Sequence, residues 1–137
     1  KPSKTESKKK VSMYDKELLI SIFDQIFEAI EKIESRTKDA KSAVYFTSSV
    51  EGMEKLDGIC MLFIAIGESL KNVDKITGSK LFPNYPDVDW AGVMKLRDIV
   101  AHHYFDIDAD QIYWIIENEL YKLKENIKKI RSDISGS

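Results

Sequence analysis

The residues best suited to chemistry lie in one short segment, LRDIVAHHYFDID, at positions 96–108. It contains Arg97, two adjacent histidines, His102 and His103, and Tyr104. An imidazole, with an ordinary pKa of about 6.5, accepts or donates a proton at cellular pH. A guanidinium offers a planar fork that matches phosphate oxygens. These groups suit RNA cleavage, because the 2′-hydroxyl of RNA is itself the nucleophile and no metal is required.

A helix over this segment would separate the two histidines. At about 100° per residue, three apolar side chains form one stripe: Val93, Leu96 and Val100. We predict that His103, inside the stripe, is a core histidine with one satisfied nitrogen, and that His102 faces solvent or a partner. In an ideal helix Arg97 and His102 diverge by roughly 140°. They converge if the helix bends or ends near Ala101, or if a second copy of the chain completes the site.

Several spaced patterns resemble one known family. Arg97, His102 and Tyr104 form R-x4-H-x-Y, residues 66–68 form I-G-E, and residues 86–90 form P-x-x-x-W. The run FDID that follows the tyrosine also fits. Together these patterns resemble the HepT-like toxins of the HEPN superfamily.

The resemblance covers most of the chain, from about Asp15 to Ile130. A lysine-rich arm before Tyr14 and a histidine between His102 and Tyr104 depart from the family pattern. The superfamily accepts four to six residues between arginine and histidine, so His103 remains an alternative functional residue. The H-x-Y spacing and the helical phase both favour His102.

The resemblance implies a metal-independent endoribonuclease, the toxin of a HepT/MntA type toxin–antitoxin system. It implies that Arg97 and His102 are catalytic at the cleft of a homodimer. It also implies that Tyr104 is adenylylated by a cognate nucleotidyltransferase, an MntA-like antitoxin, which would block the phosphate-binding fork. From the residues alone, Tyr104 could equally be an aromatic side chain at the core edge. The alternative function is a non-catalytic helical subunit that partners a nucleotidyltransferase.

Three further residues are expected to support the site: Asp98, Glu68 and His103. Gly67 lowers helix propensity by about 1 kcal/mol relative to alanine, which predicts that another backbone approaches closely. Glu68 either orients Arg97 or is an ordinary glutamate on the helix surface.

Composition limits the other function classes. The chain has 137 residues, a net charge of −2 and one cysteine, Cys60. RNA binding would therefore depend on a local patch, and DNA is not an expected partner. The composition excludes an intramolecular disulfide and a multi-cysteine zinc site, and it favours a reducing, cytoplasmic setting. We expect no metal, no cofactor and no membrane span.

The apolar periodicity predicts an all-α, up-and-down four-helix bundle, HEPN-like, in residues 14–131. Long helices are expected from Asp15, from Val50 to Val73 and from Trp90, with one last helix after Asp108. Residues 38–50 form either a short extra helix or a packed loop. Residues 1–13 are expected to be a disordered basic arm, either a solvated leader or a contact for RNA phosphates, and residues 132–137 a frayed tail.

Overall fold

The computed structural model describes the backbone of residues 4–136 and the side chains of residues 16–103 and 105–136. Within this part of the chain every regular element is helical. The α-helices are α1 (Lys4–Thr37), α2 (Val44–Thr47), α3 (Val50–Ile76), α4 (Trp90–His102), α5 (Ala109–Asn118) and α6 (Leu120–Ser135). Two short 3-10 helices are Phe82–Asn84 and Tyr104–Asp106. The predicted all-α, HEPN-like helical bundle is thereby confirmed.

The core forms around α3, which packs against α1, α2 and α4, while α6 packs against α1 and α5. The largest fully buried side chains of the core are Phe23, Ile26, Ile30, Ile33, Phe46, Ile59, Phe63, Ile66, Leu70, Val73, Ile127 and Ile130. They recur at three- and four-residue steps within α1, α3 and α6, so each long helix turns one apolar face inward. Since α4 packs chiefly on α3, these two helices position the residues of chemical interest.

Capping residues explain where several helices begin. The Ser49 side chain accepts a hydrogen bond of 2.9 Å from the Gly52 amide at the start of α3. Asp89 accepts one of 3.0 Å from the Gly92 amide at the start of α4. The predicted beginnings at Val50 and Trp90 are therefore confirmed.

The last predicted helix is two helices rather than one. The chain departs from helical geometry at Glu119, where φ is −116° and ψ is −27°. The amide of Glu119 still donates to the Ile115 carbonyl, and the Glu119 carbonyl accepts from Leu123. Because the apolar stripe and these hydrogen bonds both continue across the bend, periodicity alone does not predict it.

The terminal helices are longer than predicted. No proline or glycine interrupts residues 4–15, and the backbone of α1 begins at Lys4 rather than Asp15. The predicted disordered arm therefore falls on helical backbone from residue 4 onward, while residues 1–3 lie outside the described residues. α6 likewise continues to Ser135, within the predicted tail.

Residues 38–50, for which the sequence left a short helix and a packed loop as alternatives, contain α2. No helix in the described residues combines the length and apolarity needed to cross a bilayer.

Candidate active site

The aromatic loop before α4 fixes the beginning of this helix. The Trp90 ring stacks on Phe82 with centroids 4.3 Å apart, and its indole Nε1 donates a 2.7 Å hydrogen bond to the Tyr85 carbonyl. The Tyr85 hydroxyl in turn donates to Asp133 of α6 across 2.7 Å. Burial, together with Asp133, raises the pKa of Tyr85 to about 12, so this tyrosine stays a donor at neutral pH.

Gly67 lets α4 approach α3 at the position of Arg97. A Cβ atom on Gly67 would lie 2.5 Å from the Arg97 Cβ and 3.5 Å from its Cα. The close approach predicted at Gly67 is thus confirmed, and the element that approaches is the Arg97 backbone itself. The glycine sets where the guanidinium stem leaves α4.

Arg97 lies between two carboxylates. Its Nε, which is shielded from solvent, forms an ion pair with Glu68 but no hydrogen bond of good geometry. Its Nη1 donates to Asp98 across 3.0 Å. The side chain is about one-third exposed, and its contacts with described residues use Nε and Nη1. Neither of these contacts uses the Nη2 edge.

Asp98 binds a second cation, Lys71 of α3. The Lys71 ammonium lies 3.0 and 3.1 Å from the two Asp98 carboxylate oxygens. The hydrogen bonds from Lys71 and Arg97 hold the pKa of Asp98 below its ordinary value, so the carboxylate is ionised at neutral pH. Four charges thus alternate across the contact between α3 and α4: Lys71, Asp98, Arg97 and Glu68. Lys71 was not among the predicted site residues; its four-residue spacing from Gly67, on the same face of α3, was the available signal.

His102 is exposed and is also held by Asp98, through the main chain. Its Nδ1 lies 2.7 Å from the Asp98 carbonyl oxygen. A carbonyl oxygen only accepts, so Nδ1 carries the proton and Nε2 keeps its lone pair when the ring is neutral. Asp98 therefore positions Arg97 with its carboxylate and His102 with its carbonyl. In this way one residue links the two predicted catalytic groups.

The prediction that His103 is a core histidine is wrong. α4 ends at His102, and His103 is its C-terminal cap, with φ of −120° and an exposed side chain. Because the helix stops one residue earlier, the helical phase used to place His103 in the apolar stripe no longer applies. The rest of that stripe is as predicted, with Leu96 and Val100 buried. The Tyr104 backbone begins the 3-10 helix that follows, and its side chain lies outside the described residues.

Other types of site receive no support from the geometry. In the part of the chain that the structure describes, no group of three or more His, Cys, Asp or Glu side chains could hold a metal ion. Cys60 is buried, and burial raises the pKa of its thiol to about 11, which keeps it a poor nucleophile.

A shallow groove of about 460 Å³ runs along α3 beside Arg97. Its lining is polar: Glu68, Ser69, Lys71, Asn72 and Lys75. Lys71 and Lys75 are one helical turn apart, so the groove carries two positive charges on one face. Glu68 adds one carboxylate, so lysines outnumber acids in the lining of this groove, on a chain whose net charge is −2.

Comparison with known proteins gives consistent similarities. A family model described as "Ribonuclease HepT-like" matches residues 26–130. The chain is 31% identical over 111 residues to a "Gamma-glutamylcyclotransferase and putative RNase" of Methanocaldococcus jannaschii, covering 81% of this chain and 46% of that protein. It is 38% identical over 71 residues to a "Putative RNase" of the same organism, covering 52% and 55% of the two chains.

A third relative is similar over nearly its whole length. The "Probable ribonuclease HepT" of Thermococcus cleftensis is 25% identical over 113 residues, which cover 79% of this chain and 91% of that protein. By contrast, the chain spans about half the length of the two Methanocaldococcus proteins. No solved structure matches the chain significantly.

Proposed function

The chain belongs to the ribonuclease HepT-like family, and on that premise we propose that it is a metal-independent endoribonuclease with Arg97 and His102 as its catalytic residues. The observation that carries the proposal is the double role of Asp98, which holds the guanidinium through its carboxylate and the imidazole through its carbonyl. An outward-facing imidazole and an arginine fixed by one residue supply a proton acceptor and an anion ligand.

The proposed reaction is attack of a 2′-oxygen on the adjacent phosphorus. His102 Nε2 accepts the 2′-hydroxyl proton, the new P–O2′ bond forms and the P–O5′ bond breaks. A second acid protonates the departing 5′-oxygen, which leaves a 2′,3′-cyclic phosphate and a 5′-hydroxyl. The Nη2 edge of Arg97 donates to a non-bridging oxygen, where negative charge grows in the transition state. Lys71 and Lys75 contact neighbouring phosphates along the groove.

We infer that the cleft is shared by two copies of the chain. The reaction needs both a base and an acid, and one chain supplies one His102. The exposed face of α3 beside the site carries Met61, Ala65 and Glu68 at four- and three-residue spacing. Met61 is 66% exposed, an apolar side chain on the same face as a site residue. A second copy on this face would bring another His102 and Arg97 to the same phosphate.

The test is cleavage of single-stranded RNA by purified protein in EDTA. Arg97→Ala and His102→Ala should each lower the rate by at least about 100-fold, as expected for a lost proton-transfer group or anion donor. Arg131→Ala is the matched control, because Arg131 pairs with Asp24 between α1 and α6 and not in this site. It should leave the rate unchanged.

The outcomes separate the alternatives. Cutting that survives in His102→Ala but not in His103→Ala would assign the reaction to His103. Cutting that survives in both would indicate a contaminating nuclease. If the wild-type protein binds a nucleotidyltransferase but never cuts RNA, it is instead a non-catalytic binding subunit.

We further propose that the chain is the toxin of a toxin–antitoxin pair and that a partner nucleotidyltransferase silences it at Tyr104. Tyr104 would lose its phenolic proton as its oxygen attacks the α-phosphorus of ATP, the bond from that phosphorus to the oxygen bridging the β-phosphate would break, and pyrophosphate would leave. The Tyr104 backbone lies two residues after His102, so the added phosphate would occupy the site of the substrate phosphate. Tyr104→Phe should cut RNA at the wild-type rate and escape modification, whereas the exposed Tyr121→Phe should still be silenced. Covalent silencing of Tyr104→Phe would overturn the assignment.

A further inference from the structure

Phe105 is the most exposed large apolar side chain among the described residues, with 97% of its surface accessible. It lies three residues after His102, and both histidines beside it are exposed as well. An aromatic ring this accessible can lie against the flat face of a bound ligand. Its position next to the candidate active site makes a component of the substrate the first ligand to consider.

The main chain that carries Phe105 is held at both ends. At the end of α4 the His103 amide donates to the Ile99 carbonyl across 3.0 Å. The Asp106 amide then donates to the His103 carbonyl across 2.9 Å, which closes the 3-10 turn. Asp108 caps α5 by accepting from the Asp110 amide across 3.0 Å. The ring is therefore presented by an anchored turn.

The spacing along the chain matches the scale of one or two nucleotides. Three residues span at most roughly 11 Å between the Cα atoms of His102 and Phe105. A base next to a phosphate bound at Arg97 and His102 can therefore reach the Phe105 ring. Unpaired bases stack readily on exposed aromatic side chains, whatever their sequence.

The charges around Phe105 indicate which part of the RNA meets it. Asp106 and Asp108 follow it directly, and carboxylates repel phosphates. The positive charge near the site is on Arg97, Lys71 and the lysines of the groove along α3. The sugar–phosphate backbone would follow these cations, and an uncharged base would turn toward the ring.

We propose that Phe105 is a stacking platform for an unpaired nucleobase beside the scissile phosphate. The proposal rests on the proposed function, because it takes RNA as the substrate. It assigns the protein a requirement for single-stranded RNA at the cut and little selectivity among bases, since stacking uses the face of the base and not its hydrogen-bonding edge.

The experiment uses the full chain carrying His102→Ala and short single-stranded oligoribonucleotides with 2-aminopurine at one position. Stacking on Phe105 should quench the fluorescence of the probe at the position next to the bound phosphate. Adding Phe105→Ala should abolish the quenching and weaken binding by about 5- to 150-fold. Phe105→Trp should restore both, whereas Phe105→Leu, which keeps apolar bulk without a ring, should not. Trp114→Ala is the control, an exposed aromatic on α5 whose loss should change neither.

This inference and the proposed function fail separately. Because the variant chain does not need to cut, absence of cleavage by the wild-type protein would overturn the nuclease alone. Unchanged RNA affinity and quenching in Phe105→Ala would overturn the stacking platform alone. If Phe105→Ala instead dissociates a dimer in sedimentation, or loses only a protein partner, Phe105 is an interface residue and the stacking proposal is wrong.

Discussion

At the scale of single residues, Asp98 has the largest consequence for the site. Its carboxylate contacts Arg97 and Lys71, and its carbonyl oxygen contacts His102. A substitution at position 98 removes the first set of contacts and leaves the carbonyl in place. Variants of Asp98 therefore isolate the positioning of Arg97 from that of His102.

We predict that Asp98→Ala lowers kcat/KM for RNA cleavage by about 10- to 100-fold, because a displaced guanidinium no longer meets the phosphate. The kcat/KM of Asp98→Asn should lie between those of Asp98→Ala and the wild type, because the amide oxygen still accepts a hydrogen bond from Arg97 but carries no charge. Steady-state kinetics on one oligoribonucleotide measure both. Equal activities of Asp98→Ala and the wild type would show that Glu68 alone suffices to hold Arg97.

The depressed pKa of Asp98 also predicts how stability responds to acid. A carboxylate whose pKa is lower in the folded than in the unfolded chain stabilises the fold above its unfolded pKa, ordinarily 3.8 here. This contribution is lost as pH falls through the lower folded pKa. The wild type should therefore have a higher free energy of unfolding than Asp98→Asn. This difference should have its largest value at pH 7 and decrease below about pH 3.8.

Urea unfolding at several pH values measures this difference. The exposed loop residue Asp87 gives a control, because Asp87→Asn removes one negative charge away from Lys71 and Arg97. A difference for Asp98→Asn that grows as the solution is acidified would contradict the ion-pair explanation.

At the scale of helices, the sequence predicted those features that depend on local chemistry. The apolar periodicity placed the beginnings of α3 and α4 correctly, and the structure adds the caps at Ser49 and Asp89. The sequence pattern did not predict the bend at Glu119, because the same apolar periodicity continues through it. His103 was misplaced for a related reason: a phase argument assumes that the helix continues, and α4 stops at His102.

Of the candidate site, the sequence predicted the residue types and the close approach at Gly67 but not the network between them. Lys71 looked like any lysine on a helix surface. Its role depends on which face of α3 meets α4, and that contact joins residues 27 positions apart. Such pairings are set by tertiary packing; the spacing from Gly67 indicates which face of α3 Lys71 shares but not its partner on α4.

The contact between α3 and α4 predicts an unusual response to a common substitution. Alanine normally stabilises a helix interior by about 1 kcal/mol relative to glycine. In Gly67→Ala the new Cβ would collide with the Arg97 Cβ, and overpacking of this kind costs about 1–3 kcal/mol. We expect a net loss of stability of up to about 2 kcal/mol, together with reduced cleavage, because Arg97 must move.

Gly58 in the same helix provides the matched control. A Cβ there would lie 3.0 Å from the Arg36 Nη1, the end of a flexible side chain that can swing away. Gly58→Ala should therefore stabilise the protein by about 0.5–1 kcal/mol and leave cleavage unchanged. Thermal or urea unfolding distinguishes the two. If both substitutions stabilise equally, α4 does not press on Gly67.

At the scale of the whole molecule, bulk charge gives little attraction for RNA. A net charge of −2 means that affinity depends on local features, here Arg97, Lys71 and Lys75. A shared cleft would double these cations at one phosphate. The proposed second copy thus adds both an acid for the leaving group and positive charge that one chain lacks.

The dimer can be tested without touching a catalytic group. Met61 lies seven residues before Glu68 on the same exposed face of α3, so Met61→Glu places a carboxylate where a second copy would pack. Two such charges facing one another across an apolar contact should separate the copies. The free energy of unfolding should change by no more than about 0.5 kcal/mol, because the Met61 side chain is exposed in the single chain.

We therefore predict that Met61→Glu sediments as a monomer and cuts RNA at least about 100-fold more slowly, the loss expected when one of two proton-transfer groups leaves the cleft. Tyr121→Glu, an equally exposed substitution on α6, should keep both the dimer and the activity. Sedimentation velocity and cleavage are measured on the same samples. A monomeric Met61→Glu that cuts at the wild-type rate would place base and acid in one chain. The adjacent exposed His103 would then be the residue to substitute next, since no second copy would be needed to complete the reaction.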